Sequence, residues 1–262
     1  MSLNIKDLYH SDGNKLGSLF AGQSGSGKTV AVISTLRAAI LSKEFGEYHR
    51  FVIIDPKRQV GDYDLLADSE RDLDKFMDGI ATKRVSLFYP DLEFIEDDVS
   101  AIVDRVFDLS DMEPKSTYTV VLDESSILIT STKIPLSLQR LAVQGRAKRI
   151  IPIWISQRPI VNRWTDANLS SMFLFRTLQV DADNLKKRWG IDFEESSKII
   201  NEKPYSFIWF DLQTLQTHNI DPVPLPKRIP RKKSKSNRFT DFFKFYEEKG
   251  VLSTTSLSPC GV

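Results

Sequence analysis

The sequence contains one cysteine, Cys260, and three histidines among its 262 residues. A single cysteine cannot form a disulfide within the chain, so a disulfide-stapled fold is excluded, and this usage is consistent with a reducing compartment. Structural zinc sites are usually built from four cysteine and histidine ligands, so we do not expect a structural zinc site in this chain. The fold must therefore be stabilised by its own hydrophobic core.

Long apolar runs are also missing. No run approaches the roughly 18 residues that a transmembrane helix needs, and the N-terminal residues lack the apolar core of a signal peptide. The composition is 41% hydrophobic and 27% charged, which is ordinary for a soluble globular protein and sufficient for one sizeable α/β core. We therefore expect no transmembrane segment and a cytoplasmic location.

The net charge is only +1, but its distribution is uneven. Residues 227–238 contain seven basic residues and no acidic one, so the remainder of the chain carries a net charge of −6. Four prolines between residues 222 and 230 interrupt regular structure there. We predict a globular domain over residues 1–222 and a basic, partly disordered tail over residues 223–262. The tail could bind phosphates irrespective of sequence, or it could be a solubilising linker or a docking segment.

Residues 18–29 carry the strongest motif, Ser-Leu-Phe-Ala-Gly-Gln-Ser-Gly-Ser-Gly-Lys-Thr. This is the P-loop pattern G-x-x-x-x-G-K-T, and it lies between an apolar strand and a helical stretch that ends near Leu41, as the motif requires. Glycines let the backbone N–H groups turn inward around phosphate oxygens, and the helix N-terminus adds partial positive charge. The residues expected to bind ATP are Gly22, Gln23, Ser24, Gly25, Ser26, Gly27, Lys28, Thr29 and Val30.

Two side chains of this motif have predicted chemical roles. Lys28 can reach the β- and γ-phosphates, and the Thr29 hydroxyl can ligate Mg²⁺. The alternative is a glycine-rich turn that binds no ligand, but the strand before the motif and the helix after it argue against an accidental match.

A second candidate motif follows the apolar run Tyr118–Leu122, which ends in Asp123-Glu124. Ligand sites in open α/β sheets lie at the carboxyl ends of the strands, where such a pair would be placed. We expect Asp123 to hold Mg²⁺, directly or through water, and Glu124 to orient and deprotonate the attacking water. By itself the pattern could be a solvated strand end, but its position behind a convincing P-loop favours the catalytic interpretation.

A third polar residue, Gln157, ends the predicted strand Ile150–Ser156. In P-loop ATPases with an extra strand between the P-loop strand and the Asp-Glu strand, such a residue contacts the γ-phosphate or the attacking water. Its amide can both donate and accept hydrogen bonds, which suits a group that senses whether the phosphate is present. We therefore expect Gln157 to be catalytic.

Apolar runs and amphipathic stretches alternate along the chain, which predicts an α/β fold with a mainly parallel central sheet flanked by helices. Residues 205–210 and 214–219 are predicted to form an antiparallel hairpin at the sheet edge. Asp181 is predicted to cap a short helix. Other strands are predicted over residues 19–21, 51–54, 85–89, 118–122 and 172–175, and helices within 58–83 and from Val99 onward.

Several of these segments together resemble the FtsK–HerA superfamily of hexameric DNA translocases. The family pattern has a G-R-A-like helix end, an apolar strand and then (T/S)-Q-R-P, which residues 145–159 match at both ends with the right spacing. Residues 53–57 (Ile-Ile-Asp-Pro-Lys) resemble the family's second strand, and residues 121–124 (Val-Leu-Asp-Glu) resemble its V-V-D-E. The N-x₆-F strand from Asn168 and the later Asp181 also agree. The resemblance spans residues 18 to about 190.

This resemblance implies a RecA-like P-loop NTPase fold of the additional-strand, catalytic-Glu type. It also implies ATP and Mg²⁺ as cofactors, double-stranded DNA as a partner, and assembly into a homo-oligomeric, hexameric ring. Because few residues precede the P-loop or follow the predicted domain, we expect neither a membrane anchor nor a winged-helix domain. It therefore resembles the compact genome-packaging ATPases of tailless, membrane-containing icosahedral viruses. For such a protein we expect capsid or vertex proteins as further partners, in the host cytoplasm or at the virion vertex.

Arg146 corresponds in this resemblance to the arginine finger that acts on ATP bound by a neighbouring subunit. A guanidinium is always charged and can bridge γ-phosphate oxygens as charge moves in the transition state. Alternatively, Arg146 could be a cation that pairs with the end of its helix. Arg176, just after a predicted strand, is a rival for the same role.

Two other kinds of function remain open from the sequence. Within the same superfamily, the chain could be a plasmid-transfer or chromosome-segregation motor. In a different class, it could be a P-loop nucleotide-binding switch or a small-molecule kinase. The glutamate directly after Asp123 favours water as the phosphate acceptor, and no lid-like basic segment stands at the place a kinase would need it. Both observations argue against a kinase.

Overall fold

The computed structural model describes residues 17–41, 46–60, 63, 67–159, 162–190, 198, 200 and 203–223. Nearly all of the predicted basic tail lies outside these residues, so the predicted domain boundary remains a prediction. Within the described part of the chain, no helix is long and apolar enough to cross a membrane.

The described strands are β1 (Gly17–Ala21), β2 (His49–Ile54), β3 (Ser69–Glu70), β4 (Val85–Phe88), β5 (Thr117–Leu122), β6 (Ile150–Ser156), β7 (Leu169–Leu174), β8 (Phe207–Asp211) and β9 (Gln216–Ile220). The described α-helices are α1 (Lys28–Leu41), α2 (Leu73–Thr82), α3 (Ile95–Met112), α4 (Leu136–Gln144), α5 (Arg163–Asp166) and α6 (Gln179–Trp189). Short 3₁₀ turns cover Ser125–Ile127 and Arg146–Lys148.

All nine described strands belong to one sheet in the order β3-β4-β2-β5-β6-β1-β7-β8-β9. The seven strands from β3 to β7 in that order are parallel, and β8 and β9 add an antiparallel hairpin at the edge. β6 lies between the P-loop strand β1 and the Asp-Glu strand β5, as the resemblance implied. The fold is therefore that of a RecA-like P-loop NTPase of the additional-strand type, and the predicted edge hairpin is confirmed.

The sheet is covered on both faces, which explains why its central strands are continuous apolar runs. Successive side chains of a strand point to opposite faces. On β2, Val52 and Ile54 belong to one hydrophobic cluster, together with residues of α2, α3 and α4. Phe51 and Ile53 belong to the other cluster, together with residues of α1. The P-loop helix α1 therefore packs on one face, and α2, α3 and α4 pack on the opposite face.

Several predicted boundaries differ from the structure. β7 begins at Leu169 instead of residue 172, and α3 begins at Ile95, inside the acidic stretch that precedes Val99. The two-residue strand β3 was not predicted, because its Ser-Glu sequence carries no apolar pattern. The predicted capping role of Asp181 is wrong, since α6 is preceded by Leu178 and makes no side-chain cap.

Asp181 is buried in the first turn of α6, where it pairs with a residue of the Gln-Arg-Pro block. Arg158 Nε donates to Asp181 Oδ1 at 2.8 Å, and Arg158 Nη2 lies 2.6 Å from the same oxygen. Asp181 is only 3% exposed. A buried carboxylate needs such a partner, so the role of Asp181 is to attach α6 to the loop after β6.

Candidate active site

The predicted site residues are brought together because their strands are neighbours with parallel directions. Ala21 at the end of β1 pairs with Ser156 at the end of β6, and Leu122 at the end of β5 pairs with Trp154. The P-loop, the Asp-Glu pair and Gln157 each follow one of these ends. Their side chains therefore meet at the same edge of the sheet.

The P-loop curls around the ammonium group of Lys28. Lys28 Nζ donates to the carbonyl oxygens of Gly22 at 2.6 Å and Gln23 at 2.9 Å, and the residue is only 7% exposed. Gly27 has a φ of 100°, which residues with a side chain rarely adopt, and this brings the loop back into α1.

Burial lowers the pKa of Lys28, while the nearby Glu124 carboxylate opposes that shift. Because the pKa is lowered overall, the cost of desolvating the Lys28 ammonium group outweighs the attraction of the neighbouring carboxylates. Anionic oxygens placed between Lys28 and Glu124 would restore that compensation. The loop is therefore electrostatically suited to phosphates.

Asp123 lies behind the P-loop threonine. Its Oδ1 accepts hydrogen bonds from Thr29 Oγ1 at 3.5 Å and from the Glu124 backbone N–H at 3.0 Å. Its Oδ2 is buried and has no hydrogen-bond partner among the described residues. Burial and the neighbouring Glu124 charge raise the pKa of Asp123. An unpartnered carboxylate oxygen beside a hydroxyl is a pair of hard oxygen ligands, so these residues fit Mg²⁺.

The described residues contain no group of three or more histidines, cysteines, aspartates or glutamates that could hold a metal ion by themselves. Mg²⁺ in nucleotide sites is held by one or two protein oxygens, with phosphates and waters supplying the rest. Thr29 and Asp123 match that arrangement.

Glu124 has a left-handed backbone, with a φ of 52° and a ψ of 47°, and its side chain is held by three donors. Lys57 Nζ contacts Oε2, while Gln157 Nε2 and Ser126 Oγ donate to Oε1, the latter at 3.0 Å. Both carboxylate oxygens are thus already bonded. Glu124 and Gln157 are brought into direct contact, as their predicted roles require, and Lys57 joins them.

Asp55, at the end of β2, is a further buried carboxyl at this edge. It is 0% exposed, its Oδ2 accepts from the Val60 N–H at 2.7 Å, and its Oδ1 has no hydrogen-bond partner among the described residues. Burial raises its pKa to about 7, and the Asp123 charge adds to the shift. Asp55 and Asp123 are therefore two desolvated acids on neighbouring strands.

The P-loop, Lys57, Glu124 and Gln157 surround a pocket of about 300 Å³. It is lined by Ser24, Gly25, Gly27, Lys28, Thr29, Val30, Lys57, Gln59, Glu124, Gln157 and Tyr205. Of the other predicted residues, Gly22 and Gln23 contribute the carbonyls that bind Lys28, and Ser26 borders a neighbouring cavity. The sequence reasoning assigned no role to Lys57, Gln59, Ser126 or Tyr205.

The sequence places Asp55 and Lys57 near the same sheet edge, but Asp-Pro-Lys is equally a turn sequence, so the sequence alone leaves their role open. Tyr205 gave no signal, since only the chain's return to β8 places it beside the P-loop.

The two candidate arginine fingers lie in different places. Arg146 is in the 3₁₀ turn before β6, so the seven residues of β6, about 20 Å of strand, separate it from Gln157. Arg176 lies at its own P-loop, where its Nε donates to Gln23 Oε1 at 3.0 Å and its carbonyl accepts from the Gln23 N–H at 2.8 Å. Of the two, only Arg146 lies at the opposite end of β6 from its own pocket.

Gly145, which precedes Arg146, is required by close packing. A Cβ there would lie 2.5 Å from the Leu141 carbonyl oxygen and 2.8 Å from that of Ile150. No side chain fits such distances, so glycine is needed where α4 ends and the chain enters the 3₁₀ turn before β6. Close packing therefore explains the glycine of the G-R-A pattern.

No protein-family model and no curated protein sequence matches this chain. Solved structures do match its fold. The genome packaging NTPase B204 from Sulfolobus turreted icosahedral virus 2, in complex with ATP-gammaS, superposes with a TM-score of 0.62 at 13% identity, covering 80% of this chain and 99% of that one. B204, the DNA-packaging ATPase from Sulfolobus turreted icosahedral virus, gives a TM-score of 0.55 at 14% identity, covering 80% and 98%.

The cytoplasmic domain of the Thermomonospora curvata type VII secretion ATPase EccC also matches, with a TM-score of 0.51 at 14% identity. The match covers 81% of this chain but 24% of that one. At these identities the matches show that the fold is shared.

Proposed function

We propose that this protein is a Mg²⁺-dependent ATPase that translocates double-stranded DNA as a hexameric ring, and that it packages a viral genome into a preformed capsid. The observation that carries the proposal is the convergence of Lys28, the Thr29–Asp123 pair, Glu124 and Gln157 at the carboxyl ends of three adjacent strands. Each group has a distinct task in phosphoryl transfer to water, and none duplicates another.

ATP binding would first change the partners of Lys28. The β- and γ-phosphates replace the carbonyls of Gly22 and Gln23 as acceptors for its ammonium group. Thr29 and Asp123 would hold Mg²⁺, which neutralises charge on the phosphates when bound.

Glu124 can act as a base only after one of its oxygens is released. The γ-phosphate offers an anionic acceptor to Lys57 and Gln157, the two donors that meet Glu124 from neighbouring strand ends. Transfer of either donor to the phosphate frees a carboxylate oxygen for the attacking water. Gln157 then lies between the water and the phosphate, where its amide can bond to both.

DNA translocation and packaging are supported by the motifs over residues 18 to about 190, which follow one another in the same order as in the FtsK–HerA superfamily. They are also supported by the fold shared with viral packaging NTPases. A ring is supported by the position of Arg146, which cannot reach its own pocket across the length of β6. Double-stranded DNA and capsid or vertex proteins are the proposed partners, in the host cytoplasm or at the virion vertex.

The test is to measure ATP hydrolysis by the purified full chain with and without duplex DNA, together with displacement of a third strand from a triplex on that duplex. We expect duplex DNA to stimulate turnover, and the third strand to be released only with hydrolysable ATP. Phosphate transfer to a small acceptor, or turnover indifferent to DNA without strand release, would contradict the proposal.

A further inference from the structure

A second cavity, of about 220 Å³, borders the P-loop at Gly25 and Ser26. Its other lining residues are Arg176, Ile200, Pro204, Tyr205 and Ser206. It shares Gly25 and Tyr205 with the larger pocket, so the two are adjacent. Lys28, Lys57, Glu124 and Gln157 line only the larger pocket. The second cavity therefore touches the phosphate-binding loop but none of the hydrolytic groups.

Tyr205 stands between the two cavities in an unusual conformation. Its φ is 66°, a genuine outlier for a bulky residue, and 62% of the residue is exposed. A Cβ placed on Gly27 would lie 3.2 Å from Tyr205 Cδ1, which shows that the ring lies against the P-loop backbone. A strained, exposed aromatic side chain held beside a loop that binds phosphates needs an explanation other than core packing.

The turn before β8 fixes this tyrosine in place. The Ser206 backbone N–H donates to the Lys203 carbonyl at 3.1 Å, and the Ser206 hydroxyl donates to the same carbonyl at 2.6 Å. β8 begins directly afterwards, at Phe207, and pairs with β7. The ring is thus positioned by the sheet itself.

Arg176 forms the opposite polar boundary of the cavity and is likewise anchored. Its Nε and its carbonyl both bond to Gln23, so the guanidinium is tied to the P-loop. Pro204 and the buried Ile200 provide apolar surface. Ser26 Oγ is buried without a hydrogen-bond partner among the described residues. The lining is therefore an aromatic face, a planar cation and apolar carbons.

We propose that this second cavity binds the base of the nucleotide, with Tyr205 stacking on the base. The proposal rests on the ATPase function proposed above. The phosphates fill the larger pocket with the γ-phosphate toward Glu124, so the nucleoside leaves the loop on a side without hydrolytic groups. Stacking on an aromatic face suits any base with a large π-surface, and guanidinium groups pack well against such rings.

The lining also points to the specificity of this subsite. Arg176 Nε is already bonded to Gln23, and the Ser206 hydroxyl already donates to Lys203. The Ser26 hydroxyl remains, but a hydroxyl can both donate and accept a hydrogen bond, so it does not by itself distinguish the edges of adenine and guanine. We therefore expect a preference for purines over pyrimidines and little discrimination between ATP and GTP.

The experiment compares ATP with inorganic tripolyphosphate, which has the phosphates but no base, by titration calorimetry on the full chain. The variant is Tyr205→Asn, because asparagine tolerates a positive φ. Tyr205→Phe keeps the ring. The matched control is Tyr48→Ala, which removes a half-exposed tyrosine located before the amino end of β2.

We expect Tyr205→Asn to weaken ATP binding by about tenfold or more and to leave tripolyphosphate binding unchanged, since stacking contributes only through the base. Tyr205→Phe and Tyr48→Ala should match the wild type. In the wild type, ATP and GTP should bind within about fivefold of each other, and CTP more weakly.

Equal losses for ATP and tripolyphosphate, or no loss for either, would overturn the base subsite while leaving the ATPase proposal intact. A strong preference for ATP over GTP would overturn the proposal that stacking on Tyr205, and not hydrogen bonding, holds the base. A wild-type protein that binds neither ATP nor tripolyphosphate would overturn the proposed function, and the subsite with it.

Discussion

Lys57 and Glu124 form an ion pair across the ends of the adjacent strands β2 and β5. The Glu124 side chain is 8% exposed and that of Lys57 is 34% exposed, so the carboxylate is the desolvated member of the pair. Gln157 and Ser126 occupy the other carboxylate oxygen. The proposed general base is thus restrained in the absence of nucleotide, and its restraint comes from a residue of the Asp-Pro-Lys segment.

The first prediction concerns the stability of this pair. Lys57→Met should lower the free energy of unfolding by about 1–3 kcal/mol without nucleotide, because it leaves a buried carboxylate short of its cation. Glu124→Gln should remove most of that penalty, so the double variant should be more stable than the sum of the single effects predicts. Urea unfolding in EDTA measures all four proteins.

The control for this cycle is Lys133→Met, which breaks the exposed pair between Lys133 and Glu96. Exposed ion pairs contribute little, so this variant should unfold within about 1 kcal/mol of the wild type. Additive effects of Lys57→Met and Glu124→Gln would show that the two residues are not coupled.

The second prediction concerns the P-loop lysine. Lys28→Ala should abolish nucleotide binding or hydrolysis, because Lys28 is the only side-chain cation within the loop and nothing replaces its phosphate contact. Lys75→Ala, which removes an exposed lysine paired with Asp72 on α2, should leave both unchanged. Calorimetric titration with ATP and a phosphate-release assay measure the two steps. Normal turnover by Lys28→Ala would contradict the P-loop interpretation.

The third prediction separates binding from hydrolysis. Glu124→Gln should bind ATP and Mg²⁺ with near-normal affinity but hydrolyse ATP about 10²–10⁴-fold more slowly, because the amide keeps the shape and loses the base. Single-turnover measurements at saturating ATP isolate the chemical step. If the rate falls only in proportion to binding, Glu124 is not the base.

These residues also show how much of the site can be predicted from the sequence. Asp123, Glu124 and Gln157 could be predicted to meet, because each follows an apolar run and the ends of parallel strands share one sheet edge. The structure places Glu124 and Gln157 in contact, and it confirms the position of β6 between β1 and β5 and the edge hairpin. The end of each strand follows from a local sequence pattern, whereas the position of β6 followed from the resemblance to P-loop ATPases.

Lys57, Tyr205 and Asp181 depend on contacts between distant segments instead. Lys57 reaches Glu124 only because β2 is the neighbour of β5, and Tyr205 reaches the P-loop only through the chain's return to β8. Asp181 has the sequence context of a helix cap, but it is buried in α6 and pairs with Arg158, which follows β6. In each case tertiary packing outweighs the local signal.

The fourth prediction follows from the raised pKa of Asp55, about 7. The pKa of an aspartate in the unfolded chain is 3.8, so between these two values the folded protein binds more protons than the unfolded one. Stability should therefore fall as the pH rises from about 4 through about 7, and level off above that. A shift of this size corresponds to a loss of up to about 4 kcal/mol.

Asp55→Asn should reduce this pH dependence and raise stability at pH 8, because the amide stays neutral while its oxygen still accepts from Val60. Denaturant unfolding between pH 5 and pH 8, in EDTA without nucleotide, measures the slope. Asp78→Asn, at an exposed position on α2, is the matched control and should leave the slope unchanged. An unaltered slope in Asp55→Asn would show that Asp55 is ionised throughout this range.

The last prediction concerns Arg146 and the ring. Arg146 and its own pocket lie at opposite ends of β6, so the arginine finger proposed for it would act on the ATP of a neighbouring subunit. Arg146→Ala and Lys28→Ala should each be nearly inactive alone, yet a mixture should recover activity, because some interfaces then pair an intact P-loop with an intact arginine. An arginine finger contributes about 10³–10⁵ in turnover in other P-loop enzymes, so few productive interfaces suffice for detection. Arg176→Ala is the matched control: its arginine bonds to Gln23 of its own loop, so a mixture with Lys28→Ala should show no more activity than the Arg176→Ala subunits show alone. Turnover per subunit should also rise with protein concentration until rings form, and full activity of a monomer at high dilution would refute both the trans arginine and the ring.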